Sequence, residues 1–131
     1  MRMNTIIEEL DRSSKTIAPE KLQEVIKKIK EHKRIFVYGT GRSGLMLKAF
    51  AMSLMQIGLN SYVVGETTTP SVQEGDLLIV ASASGETGSV CMTAESAVKQ
   101  GVDLIVISSA PESTLGKIHA PDCLLYTSDA A

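Results

Sequence analysis

Apolar positions along this chain fall into two regimes. Up to residue 33 they recur at helical spacing; from residue 34 they gather into short unbroken runs separated by longer mixed segments. In the first regime Ile6, Ile7 and Leu10 predict a short helix within an acidic stretch. Pro19 then suits a first helical position. Leu22, Val25, Ile26 and Ile29 follow the i, i+3, i+4, i+7 rule of an amphipathic helix with a solvated Lys/Glu face. In the second regime residues 34–38, 61–64, 77–81 and 104–107 read as strands buried on both faces, as in a parallel sheet. Helical segments at 43–57, 89–100 and 112–118 separate them. The alternation predicts an α/β fold: a three-layer α/β/α sandwich around a parallel sheet of about five strands, preceded by N-terminal helices.

Segment 43–57 is apolar nearly all round, which predicts a helix buried on more than one side. Core packing or a subunit interface accounts for its methionines better than a cofactor pocket does, since methionine is the usual gap filler. Three regions follow. Residues 1–33 are helices packing on the domain or on a partner subunit, 34–122 are the sheet domain, and 123–131 are a tail unlike what precedes it.

Composition narrows the partners. The 131 residues are 44% hydrophobic and 21% charged, with a net charge of −2, as expected of one ordinary globular domain. No basic excess points to nucleic acid. No apolar run reaches membrane-spanning length, and the start lacks the apolar core of a signal peptide, so a cytoplasmic location is expected. Cys91 and Cys123 form no CxxC pair, and His32 and His119 stand alone, so no metal site is expected.

Two loops carry the chemistry. "GTGRSG", residues 39–44, has the G-x-G-x-x-G spacing of a dinucleotide turn, with Glu66 near the position of a ribose-binding acid. Gly41 and its neighbours let an anion approach backbone N–H groups, and the helix that follows adds partial positive charge. The second loop, "ASASGETGS" at 81–89, brings Ser82, Ser84, Thr87 and Ser89 hydroxyls with Gly85 and Gly88 to another helix start. Capping accounts for one such hydroxyl; a neutral, multi-donor phosphate cradle accounts for several. Glu86 is awkward beside a dianion. It is expected either to turn towards a helix N-terminus or to pair with Arg42 across the cleft.

Taken together, "GTGRSG", "VVGETTTP" at 63–70 and "SASGETGS" resemble the sugar isomerase (SIS) domain family, and within it the 6-phospho-3-hexuloisomerases. The likeness runs from about residue 34 to residue 110. It implies a five-stranded parallel sheet, a homo-oligomer (dimer or tetramer) and no cofactor. The implied reaction interconverts D-arabino-3-hexulose 6-phosphate and fructose 6-phosphate through an enediol, in the ribulose monophosphate route of formaldehyde fixation. Phosphate-binding roles carry over to Ser82, Ser84 and Thr87, with Gly85 in the same loop, and by position to Ser43. Gly41, Arg42, Glu66 and Glu86 are candidates for substrate contact or charge balance. Ala83 stands where some relatives have glutamine, so that contact is missing.

In the family the acid/base pair, a glutamate and a histidine, lies in C-terminal helices, so the catalytic residues are expected beyond Ala131. The ending "CLLYTSDAA" resembles read-through of a sequencing-library adapter, and residues 123–131 are expected to be non-native. Such a fragment is expected to bind a sugar phosphate but not to turn it over. Three other readings stay open: another ketose/aldose phosphate isomerase, a non-catalytic phosphosugar sensor, and an NAD-binding half-domain. The last leaves the serine-rich loop unexplained.

Overall fold

The computed structural model describes residues 19–124, with side chains for residues 23–122. The helix expected around Ile6 and most of the tail lie outside the described residues. The elements in order are α1 (Pro19–Glu31), β1 (Arg34–Gly39), α2 (Gly41–Gln56), β2 (Asn60–Val63), β3 (Leu77–Ala81), α3 (Gly88–Lys99), β4 (Asp103–Ser108), α4 (Thr114–Ile118) and β5 (Cys123–Leu124). Within this range each anticipated strand and helix is present, displaced by at most two residues. All pairings are parallel, and the strands lie in the order β2-β1-β3-β4-β5.

Strand residues alternate between two cores, because successive side chains leave opposite faces of a sheet. Ile35, Val37, Leu77, Ile79, Ala81, Ile105 and Ile107 pack with Val25 and Ile29 of α1 and Leu47, Phe50, Ala51 and Leu54 of α2. Phe36, Leu78, Val80, Leu104 and Val106 pack on the other face with Val90, Ala94 and Ala97 of α3 and Leu115 of α4. Both faces of the central strands are thus covered, which explains why their sequence reads as unbroken apolar runs.

Polar hooks fix the layers at the end of the sheet where the strands begin. Lys28 of α1 donates to the Leu104 carbonyl at 2.7 Å, and His32 Nε2 lies 2.7 Å from an Asp103 carboxylate oxygen. Arg34 grips Asp76 with Nε at 2.9 Å and Nη2 at 2.6 Å, and also donates to the Ser71 carbonyl. Its guanidinium lies 5.1 Å from the centre of the Phe36 ring, which stacks on Tyr62. Burial pushes the Asp76 carboxyl up, but the Arg34 hydrogen bond, the Gln73 N–H and the charges of Arg34 and His32 outweigh it and hold the group below its ordinary value.

Helix α2 buries one face, through Ser43, Gly44, Leu47, Phe50, Ala51, Ser53 and Leu54. Among the described residues its other face is open: Leu45 is 68% exposed, Met52 53% and Met55 59%. An outer helix of a three-layer sandwich meets the sheet along one stripe only, whatever the composition of its other side.

Candidate functional site

The order β2-β1-β3 means that the chain leaves β1 in one direction and β3 in the other. Such a reversal opens a crevice beyond the carboxyl ends of the two strands, where ligands bind in open α/β sheets. Gly39 of β1 is paired with Ala81 of β3, so both loops singled out by sequence start side by side at this point.

The first loop is shaped by its glycines. A Cβ on Gly44 would lie 2.5 Å from the Gly39 carbonyl oxygen, so backbone packs directly on backbone there. Gly41 has φ +57°, a left-handed conformation that side chains disfavour. Both constraints draw the start of α2 tightly onto the end of β1. Thr40, the N-cap residue, makes no capping hydrogen bond with its side chain, and no acidic residue occupies the first turn. Arg42 is exposed and Ser43 is 7% exposed.

The second loop is built from its own hydroxyls. Ser82 is fully buried; its Oγ lies 2.8 Å from Thr87 Oγ1 and accepts the Gly85 N–H at 3.0 Å. Thr87 is the N-cap of α3, yet its hydroxyl makes no capping bond. Ser82 holds it instead, so the N-cap side chain leaves the first N–H groups of α3 uncapped. Ser84, half-buried, accepts the Glu86 N–H at 3.1 Å. Of the three predicted hydroxyls, Thr87 and Ser84 stand at the loop surface, while Ser82 sits behind them as a strut.

Glu86 turns to a helix N-terminus, but that of the following helix. Its carboxylate accepts the Thr114 hydroxyl at 2.6 Å and the Thr114 N–H at 3.0 Å. Those two bonds, aided by the charge of Lys117 and opposed by weak desolvation, hold the carboxyl below its usual range. Ser113 caps the same helix by accepting the Gly116 N–H at 3.1 Å. Glu86 is therefore satisfied beside α4, which answers its awkwardness next to an anion. Gly85, at φ +70°, gives its carbonyl to Leu115 N–H and lies against Ser113. Cys91, in the first turn of α3, is buried; burial pushes its thiol up, and the Glu86 and Glu95 charges add to that.

Glu66 belongs to a third feature at the same end of the sheet. Gly65, at φ +95°, closes a turn in which Glu66 N–H reaches the Val63 carbonyl, and Thr69 Oγ1 braces the same carbonyl at 2.7 Å. A cleft of about 200 Å³ opens here, lined by Gly39, Gly44, Lys48 and Glu66 among others. Lys48 was missed by sequence reasoning. Its signal was available: it is the lone charge in the largely apolar stretch from Leu45 to Met55. His119 has Nδ1 2.8 Å from the Ala120 carbonyl and 3.6 Å from Asp122, and does not line this cleft. Among the described residues no cluster of three or more His, Cys, Asp or Glu could hold a metal ion, and no helix is long and apolar enough to cross a membrane.

The fold and the paired loops define a class. Residues 28–130 match the SIS domain model, and the chain belongs to that family. The 3-hexulose-6-phosphate isomerase of Bacillus subtilis is 43% identical over 112 residues, 86% of this chain and 60% of that protein. A Methanococcus jannaschii protein, whose crystal structure inferred a 3-hexulose-6-phosphate isomerase function, superposes with a TM-score of 0.73 at 35% identity, covering 95% of this chain and 72% of that one. The fold alone is shared with the Vibrio vulnificus NanR protein complexed with ManNAc-6P, at a TM-score of 0.71 and 23% identity over 98% of this chain and 49% of that one. The chain spans about half the length of the curated relatives it matches.

Proposed function

We propose that this chain forms the phosphosugar-binding part of a cytoplasmic 6-phospho-3-hexuloisomerase, which interconverts D-arabino-3-hexulose 6-phosphate and fructose 6-phosphate. One observation carries the binding half of this reading. In the two helices that start at the β1/β3 crevice, α2 and α3, the N-cap side chains make no capping bond, whereas α4, outside it, is capped by Ser113 and Glu86. Helix N-termini with open N–H groups and partial positive charge suit a phosphate. Thr87, Ser84 and the backbone around Gly41 complete the grip, Ser43 lies just behind it, and Ser82 holds Thr87 in place. The isomerase half rests on the relatives' activity.

In the proposed reaction a base removes the C2 proton beside the C3 carbonyl, and an acid protonates C3 as the carbonyl moves to C2. Fixing the phosphate places those carbons at a set distance and saves the entropy of aligning them. Among the described residues none is assigned as that acid or base, so the activity proposed is that of the whole enzyme. A homo-oligomer is part of the proposal, supported by the outward Leu45, Met52 and Met55 of α2.

The test is the melting temperature with fructose 6-phosphate, fructose and NADH added separately. Fructose 6-phosphate is expected to raise it by mass action, and fructose to leave it unchanged. A rise with NADH alone would point to the dinucleotide reading instead. Assay of the full-length gene product for fructose 6-phosphate formation then tests turnover.

A further inference from the structure

The cleft beside β2 shares Gly39 and Gly44 with the loop at 39–44. These glycines shape the first loop and also line the cleft, so the cleft adjoins the loop. Lys48 lies four residues after Gly44, hence on the same side of α2 one turn further along. Helical side chains slant towards the helix N-terminus, which carries the Lys48 ammonium back towards the rim of the sheet. Glu66, next to the turn braced by Thr69, lines the same cleft. Both side chains are exposed, and neither is ion-paired with the other or with any described residue. An exposed ammonium and an exposed carboxylate lining one cleft of about 200 Å³ complement a chain of hydroxyl and carbonyl groups.

Building on the phosphosugar reading, we infer that Lys48 and Glu66 form the sugar-body subsite. Lys48 donates to carbonyl and hydroxyl oxygens of the sugar, Glu66 accepts from its hydroxyls, and the phosphate stays on the loops at 39–44 and 81–87. The subsite selects a polyhydroxylated phosphate over a bare one. Lys48 thereby determines specificity, with no part in holding the phosphate itself.

Affinities of the whole chain for fructose 6-phosphate and for inorganic phosphate, by isothermal titration, test the division. Lys48→Met is expected to weaken fructose 6-phosphate binding about 10-fold, the size of one lost charge-assisted hydrogen bond, and to leave inorganic phosphate within about twofold. Glu66→Gln is expected to weaken fructose 6-phosphate a fewfold with the same indifference to phosphate, and Lys48→Arg to restore most of the affinity. Unaltered fructose 6-phosphate binding in both Lys48→Met and Glu66→Gln overturns the subsite. Equal loss for both ligands in Lys48→Met overturns it too, because Lys48 would then act on the phosphate. If the unsubstituted protein binds inorganic phosphate but not fructose 6-phosphate, the phosphosugar reading fails, and the subsite with it.

Discussion

Gly85 concentrates several duties in a residue with no side chain. Its φ of +70° turns the loop, its carbonyl receives Leu115 N–H, and a Cβ built on it would overlap the Ser113 hydroxyl. Gly85→Ala must therefore displace the residue that caps α4 as well as strain the backbone. We predict a loss of about 3 kcal/mol in urea unfolding, from left-handed strain plus overpacking. Gly58 provides the control: it also has positive φ, +93°, but a Cβ there meets nothing within 4 Å. Gly58→Ala should cost only about 1 kcal/mol. Equal losses at the two positions would mean that strain alone, and no contact with Ser113, makes Gly85 necessary.

At the scale of elements, the starts of α2 and α3 are the proposed phosphate-binding parts, and Ser82 holds the Thr87 hydroxyl away from one of them. Ser82→Ala releases the Thr87 hydroxyl to bond its own helix, as an N-cap threonine ordinarily does. Binding of fructose 6-phosphate should then weaken about 10-fold, read by titration calorimetry at constant salt; an unchanged affinity would remove Ser82 from the account. The two loops themselves were legible, because glycine spacing and clustered hydroxyls after apolar runs have local causes. The division of labour among the hydroxyls was not. Ser82 and Ser84 look alike in sequence, and only the continuation of the β3–β4 ladder through Ser82 N–H to the Ile107 carbonyl shows which is buried. Which helix start Glu86 would meet escaped for a similar reason, since its partner Thr114 is 28 positions away. Which face of α2 meets the sheet was illegible, because a helix apolar on every side carries no mark of it.

For the whole molecule, the Arg34–Asp76 grip joins the starts of β1 and β3, and it makes stability depend on pH. Asp76 has a lowered pKa when folded, so its contribution is present above the unfolded value near 4 and is lost as pH falls below that, through the folded value. Unfolding free energy should accordingly drop in acid, with Asp76→Asn flattening that dependence below about pH 4 and costing about 2 kcal/mol at pH 7. Parallel curves for the two proteins below pH 4 would rule Asp76 out as the source. The same pair has a meaning for how the chain comes to fold. Its partners are 42 positions apart, and the neighbouring β1–β3 pairing spans a similar distance. The crevice is therefore closed by a long loop, a slow event compared with forming α2 or α3. During synthesis the loop at 39–44 leaves the ribosome well before its counterpart at 81–87. A growing chain should thus acquire phosphosugar-dependent protease resistance only after α3 has emerged, a point that arrested chains of graded length can locate.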